Sequence, residues 1–209
     1  MKTFFLKSDL TTGGRITPVP LVSAPKELFP NITQAQARFG LVDYQKVFIK
    51  QEKSLAYKLA FLSNPACNVV DLSIHPGTAS DIVTDAQGYT GWKGCGILLD
   101  DILALYYFLP FRVSVLLPGY GFSNLDRLII VDGDFTEKIQ IASISWSGNI
   151  ATITTSISSR PVRAHSAGAL VVACSEWTQG VDMPLWIKRQ VLPGTPSCSV
   201  TNASLRILA

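Results

Sequence analysis

The sequence predicts an all-β fold, a sandwich or barrel of short strands, on three observations. Apolar residues recur at every second position in several stretches, which is the side-chain period of a half-buried strand. Turn pairs such as Asp132-Gly133, Ser147-Gly148 and Pro193-Gly194 punctuate those stretches at short intervals. Helix signals are few, and only Gln34 to Phe39 carries both a start and a stop.

In chain order, residues 8–30 read as an extended arm. Thr11-Thr12-Gly13-Gly14 gives it freedom, and Pro18, Pro20, Pro25 and Pro30 exclude a regular helix or a central strand. Asn31 or Thr33 would cap the short helix that Gly40 ends. Tyr44 to Lys50 has apolar groups on both faces, Tyr44 and Phe48 on one and Val47 and Ile49 on the other, so it is expected to be central or covered by a partner. Ser54 to Ser63 alternates, with Leu55, Tyr57, Leu59 and Phe61 on one side. Asn68 to His75 alternates too, with Val70, Leu72 and Ile74 opposite Asp71, Ser73 and His75, and is expected to be half-buried.

The run Ile97 to Leu109 is ambiguous, since Asp100 and Asp101 near its start favour a helix while Tyr106-Tyr107-Phe108 favours a strand. Phe111, Val113, Val115 and Leu117 predict a strand ended by Pro118-Gly119. Residues 125–174 read as a strand meander: Leu128 to Val131, a turn at Asp132-Gly133, Lys138 to Trp146, a two-residue hairpin at Ser147-Gly148, a return through Ala151 to Ile157, and Leu170 to Cys174. Leu185 to Arg189 and a last strand ending in Leu205-Arg206-Ile207 complete the set.

Composition limits the function. Of 209 residues only 16% are charged, against roughly 25% in an average soluble domain. Hydrophobic residues make up 47%, with a mean hydropathy of +0.28. Disorder, collagen and coiled coil are excluded by that balance. The net charge of +3 comes with no run of Lys or Arg, so a direct nucleic-acid partner is not expected. The apolar start at Met1 to Leu6 is cut short by Lys7, Ser8 and Asp9, which argues against a signal peptide. The most apolar window, Ile97 to Phe111, is too short to span a bilayer, and no membrane association is expected. A chain this poor in charge is expected to bury surface against other copies or partners.

Chemistry-bearing residues are sparse. Cys67, Cys95, Cys174 and Cys198 are widely spaced with no C-x-x-C pair, so they read as buried reduced thiols, with a Cys174–Cys198 bridge or a bridge from Cys67 left open. His75 before Pro76-Gly77 and His165 beside Ser166 read as surface or turn histidines, because neither has a nucleophile elbow nearby. Asp132, Asp134 and Glu137 could approach a calcium ion but lack the ladder of a dedicated loop, and read as a solvated turn. No metal, cofactor or catalytic residue is therefore expected. Trp92, Trp146, Trp177 and Trp186, with Tyr89 and Tyr120, could form a sugar-stacking platform or pack in a core or interface.

Three stretches resemble a known family. Leu28-Phe29-Pro30-Asn31-Ile32-Thr33 with Ala35, Ala37 and Gly40, followed by Asp43-Tyr44-Gln45-Lys46-Val47-Phe48-Ile49-Lys50, is similar to the lead-in to the first sandwich strand of tailed-bacteriophage virion proteins. Pro184-Leu185-Trp186-Ile187-Lys188-Arg189 through Pro196 resembles a strand and turn near the C-terminus of the same proteins. Between them, Ile129 to Ile144 and Gly148 to Ile157 resemble a β-meander common in phage structural proteins.

The resemblance implies a β-sandwich of immunoglobulin-like or jelly-roll-like kind with an inserted small β-meander or barrel subdomain and an extended N-terminal arm. Residues 1–30 would be the arm, residues 31–96 and 175–209 the sandwich, and residues 97–174 the insertion. It implies a non-enzymatic subunit of the virion, assembled in the host cytoplasm, forming a homo-oligomeric ring in the neck or collar, or in the tail or baseplate, with other virion proteins as partners. Pro18, Pro20, Tyr44, Phe48 and Trp186 are the interface candidates. The alternatives are a carbohydrate-binding receptor module on the tail tip and, third, a glycan- or peptidoglycan-cleaving enzyme.

Overall fold

The computed structural model describes residues 3–8, 16–20, 29, 32–51, 57–63, 70–104, 109–178, 183–196 and 204–208. The chain is all-β, and its described residues include two short helices and a 3-10 turn at Ile157–Ser159. Its strands are β1 (Thr3–Ser8), β2 (Ile16–Pro20), β3 (Leu41–Gln51), β4 (Tyr57–Ser63), β5 (Val70–Pro76), β6 (Cys95–Leu98) and β7 (Phe111–Ser114) in the first half. The second half contributes β8 (Arg127–Asp132), β9 (Phe135–Ser147), β10 (Ile150–Thr155), β11 (Leu170–Ala173), β12 (Ser175–Thr178), β13 (Met183–Val191) and β14 (Ser204–Leu208). The helices are α1 (Gln34–Phe39) and α2 (Val83–Gly88). Five strands form one sheet in the order β2-β1-β3-β13-β5, three form another in the order β12-β4-β14, and β10-β7-β6-β11-β8-β9 close into a barrel. Each of these strand pairs is antiparallel.

Thr33 is the residue that caps α1, in a reciprocal box with Gln36, and Asn31 lies outside the described residues. Parts of the region read as an arm are strands: β1 pairs with β3, and β2 pairs with β1. Pro18 and Pro20 lie on β2, the outermost strand of its sheet, where a residue without an N–H interrupts no inner ladder. Residues 9–15, 21–28 and 30 of that region lie outside the described residues.

The barrel is a contiguous stretch of sequence, β6 to β11, and its inward residues are apolar: Leu98, Val113, Leu128, Ile130, Ile139, Ile141, Ile153 and Val171 are among them. On the β6-β11-β8 side the outward residues Cys95, Ile129, Leu170, Val172 and Cys174 are buried as well, and β11 meets β4 of the three-stranded sheet there. Burial on both faces explains why Leu128 to Val131 and Leu170 to Ala173 read as unbroken apolar runs rather than alternating ones. Gly96 points inward on β6, where an added Cβ would lie 2.5 Å from the Ser114 carbonyl oxygen and 2.5 Å from Val113 Cγ1. A six-stranded barrel is narrow, and this position has no room for a side chain.

Three expectations change in detail. The run from Ile97 is neither a helix nor one long strand: β6 ends at Leu98, and Asp100 accepts from the Arg112 guanidinium and backbone N–H instead of starting a helix. Tyr106, Tyr107 and Phe108 lie outside the described residues. The hairpin turn is Gly148-Asn149 rather than Ser147-Gly148, because Ser147 still pairs with Ile150 and Gly148 takes the positive φ of 59°. And β5 is buried on both faces, with Asp71 at 4% exposure and Ser73 at 0% alongside Val70 and Ile74, because another segment of the chain covers its polar side.

Candidate functional site

Strand register decides which side chains share the covered face. Lys46 on β3, Trp186 on β13 and His75 on β5 lie side by side, as do Tyr44, Lys188 and Ser73. The connection from β5 to β6, residues 77–94, runs over them and carries α2. Trp186 is completely buried against Trp92 and Ala86, with Tyr44, Val83, Tyr89 and Tyr120 around them. Gly77 permits this closeness, since a Cβ there would stand 2.7 Å from Trp186 Cδ1.

Polar groups pin the cover down. Lys46 Nζ donates to the Asp81 and Ala79 carbonyl oxygens at 2.8 and 3.2 Å. The Asp81 carboxylate accepts from the Thr78 backbone N–H at 2.7 Å, from the Thr78 and Tyr89 hydroxyls, and from Trp186 Nε1 at 3.3 Å. Burial alone would raise its pKa, but the Tyr89, Thr78 and Trp186 donors and the Lys46 charge carry it below the usual carboxylate range. His75 stacks on Tyr89 with ring centroids 4.4 Å apart, and burial lowers its pKa. It is a packed histidine, not a surface one.

A second network joins the covered face to the base of the barrel. Tyr120, in the β7–β8 connection, places its hydroxyl 2.8 Å from Ser73 Oγ and accepts from Lys188 Nζ at 3.2 Å. Ser73 Oγ in turn donates to Asp71 Oδ2 at 3.2 Å. The order Lys188 to Tyr120 to Ser73 to Asp71 runs from cation to carboxyl with both hydroxyls engaged. Burial pushes Asp71 up to about 6, against the pull of Ser73 and Lys188, and lowers Lys188. Lys188 also lies over the Tyr120 and Trp92 rings.

The third place is the far end of the barrel. In a closed antiparallel barrel, alternate connections lie at the same end. Here those are the connections that begin at Leu99, at Gly133 and at Ser156, opposite the end where the chain enters at Gly94 and leaves at Cys174. His165 is 3% exposed, and its Nε2 lies 2.7 Å from Glu137 Oε2, with Nδ1 3.7 Å from Asp132 Oδ2. Glu137 also accepts the Val162 and Arg163 backbone N–H groups. Ser166 N–H donates to Asp132 at 3.0 Å, and Ala167 N–H donates to Asp101 at 2.8 Å. The turn histidine and the solvated acidic turn of the sequence reading are thus one buried pair that holds the long connection to the barrel wall. Asp134 stays exposed and outside it. On this scaffold Leu99, Leu103, Leu109, Phe135, Ile157 and Val162 stand out from the surface at 38% to 63% exposure.

Between the barrel base and the sheets runs an open groove of about 320 Å³, bordered by the Lys93–Asp126 and Arg127–Glu176 pairs at 2.5 and 2.7 Å. Cys174 lies at its floor, and burial pushes the thiol up to about 12, so it is protonated and inert at neutral pH. Cys95 is buried, while Cys67 and Cys198 lie outside the described residues. Among the described residues no three His, Cys, Asp or Glu side chains gather as metal ligands, and no helix is long and apolar enough to cross a membrane.

Of the interface candidates, Phe48 at 2% and Trp186 at 0% exposure are buried within the chain, and Tyr44 is half-buried against Trp92. The side chains of Pro18 and Pro20 are outside the described set. Trp92 at 5% and Trp186 are likewise closed to a sugar ring, and Trp146 packs partly against the barrel cluster. The exposed apolar rim of the barrel was not singled out by the sequence, although Leu103, Leu109 and Val162 sit in connections where apolar side chains have no core to face, and Phe135 is the first residue of β9. No known protein family matches the chain, and neither a curated protein nor a solved structure similar to it was found.

Proposed function

We propose that this chain is a non-enzymatic structural subunit of a tailed-phage virion, forming a ring in the neck or collar region through subunit contacts. In this reading the five-stranded and three-stranded sheets are the two layers of a sandwich, and the barrel is an insertion carried between its strands. One observation carries the role of an assembly subunit. The chain turns six large apolar side chains outward at the free end of its barrel, while its buried Lys46, Asp71, Asp81, Glu137 and His165 are engaged with one another's neighbours inside the fold. Surface of that kind works by being buried against protein. The phage assignment comes from the sequence resemblance of residues 28–50, 129–157 and 184–196.

Electron microscopy of the intact particle tests the reading directly. Density that accepts the six-stranded barrel and its adjoining sheets, repeated around the particle axis at the neck, is the expected result. Purified particles that lack the chain by mass spectrometry would sink it.

A further inference from the structure

We infer that the groove between the barrel base and the sheets binds a neutral carbohydrate, a short glycan stretch whose hydroxyls meet the groove's side chains. The inference adds a ligand to the chain and does not depend on where the subunit sits in a particle.

The walls of the groove come from well-separated parts of the sequence. Pro76 ends β5, Lys93 lies in the connection over the five-stranded sheet, Asn124 to Asp126 belong to the β7–β8 connection, and Glu176 is on β12. Arg127 on β8 and Gln140 on β9 add the side of the barrel. A volume of about 320 Å³ is at the small end of the range for small-molecule sites. It suits a short piece of glycan and not a folded partner.

Charge narrows the ligand. Lys93 is paired with Asp126 at 2.5 Å and Arg127 with Glu176 at 2.7 Å, so the groove holds cations and carboxylates in equal number. It offers no net attraction to a phosphate, a nucleic acid or a polyamine. What it offers is donors fixed beside acceptors, since after one pairing an ammonium keeps further N–H groups and a carboxylate further lone pairs. Two amides extend the set. Asn124 Oδ1 accepts the Ile144 N–H at 3.0 Å, and Gln140 Nε2 donates to the Leu125 carbonyl at 3.2 Å. Those bonds hold the two side chains, and among the described residues Asn124 Nδ2 and Gln140 Oε1 have no partner. On the floor, Ser175 is 2% exposed and its hydroxyl has no hydrogen-bond partner, a group that a ligand hydroxyl can satisfy. Every sugar hydroxyl both donates and accepts, so a rigid, mixed lining without net charge is one that a polyol fits. An extended peptide would instead need a row of backbone groups at strand spacing.

Leu125 supplies the apolar contact. Its φ is +68°, and among the described residues it is the one non-glycine in the left-handed region, where a leucine is strained. Its N–H donates to the Ile141 carbonyl at 3.1 Å, its carbonyl accepts from Gln140, and the Ser123 N–H closes the turn on Asp126 Oδ2 at 2.8 Å. The turn so held leaves Leu125 70% exposed at the border of the groove. The carbon–hydrogen face of a sugar ring is an apolar surface that would cover it while the ring hydroxyls reach the polar wall.

A glycan array probed with the purified full chain, over neutral and anionic oligosaccharides, tests the inference and selects the probe. Titration of the best-retained oligosaccharide by nuclear magnetic resonance then gives its Kd and its place. Neutral glycans are expected to bind, with saturable shifts at the amides of Asn124 to Arg127 and Glu176 and none at Phe135 or Val162 on the far end of the barrel. Asn124→Asp keeps the acceptor for Ile144 and removes the free donors. Leu125→Asn removes the apolar contact with a residue that tolerates left-handed backbone, so the thermal midpoint should hold or rise. Each should raise the Kd about tenfold, the loss of one well-formed contact.

Preference for anionic glycans would overturn the ligand class, and so would the same shifts produced by a short mixed-sequence peptide and by no sugar. A neutral glycan whose Kd neither substitution changes binds elsewhere and overturns the site. An array that retains no neutral glycan overturns it as well.

Discussion

Asp71 is a carboxyl group 4% exposed on the covered face of β5, with one hydroxyl donor and one ammonium nearby. Burial holds its pKa at about 6 in the folded chain, above the ordinary 3.8. The folded state therefore binds the proton more tightly than the unfolded state. Its stabilising contribution is complete below about pH 4 and declines as pH rises through about 6. At pH 7.5 the ionised group costs roughly 2–3 kcal/mol relative to its protonated form. Lys188 and Tyr120 are the titratable groups that interact with it. Asp71→Asn keeps the shape and an acceptor for Ser73 without the charge. It should raise the thermal midpoint at pH 7.5, leave it nearly unchanged at pH 4, and flatten the stability profile between those values. Differential scanning calorimetry across that range is the measurement. A variant destabilised equally at both pH values would show that Asp71 acts through geometry and not through its charge.

At the scale of elements, the strands of the barrel were legible because period-two alternation and turn pairs are local signals. Asp132-Gly133 and Ser147-Gly148 marked both tight hairpins, each one residue ahead of the turn itself, which is Gly133-Asp134 in the first and Gly148-Asn149 in the second. What was not legible depends on contacts between distant segments. The polar side of β5 looked solvent-facing because nothing in Asn68 to His75 says that residues 77–94 fold back over it. His165 looked like a turn residue because Glu137 is 28 positions away. Phe48 and Trp186 looked available to partners because apolar strand residues read the same whether the chain or another subunit covers them. The His165–Glu137 pair gives a prediction at this scale. His165→Ala leaves a cavity and an under-partnered buried carboxylate, and should cost about 2–4 kcal/mol. The loss should appear as faster amide hydrogen exchange at Val162 and Arg163, whose N–H groups bond Glu137, before exchange rises in β9 itself. Gly96→Ala tests the barrel interior in the opposite sense. Its methyl group would press on the Ser114 carbonyl of the next strand, and about 1–3 kcal/mol of overpacking should lower the urea midpoint without altering the far rim.

At the scale of the whole molecule, low charge sets how assembly responds to solution conditions. With only 16% charged residues and a net charge of +3, long-range attraction between copies is weak. The barrel end proposed to meet other protein is mostly apolar, at Leu99, Leu103, Leu109, Phe135, Ile157 and Val162, with both charges at its margin in Asp134 and Arg163. Raising sodium chloride from about 0.1 M to about 1 M shortens the Debye length from about 10 Å to about 3 Å and screens exposed pairs. If charge held the oligomer together, that change would dissociate it. Apolar burial has the opposite signature: it is strengthened by sulfate, which is excluded from protein surface, and it weakens on cooling because its driving force near room temperature is entropic. Assembly is therefore expected to survive high sodium chloride, tighten in ammonium sulfate, and loosen towards the freezing point, with a negative heat-capacity change on association. Sedimentation velocity over salt and temperature, paired with dilution calorimetry of the oligomer, reads all four signs. Dissociation by sodium chloride alone would move the contact from the Leu and Phe side chains of the rim to its charged margin.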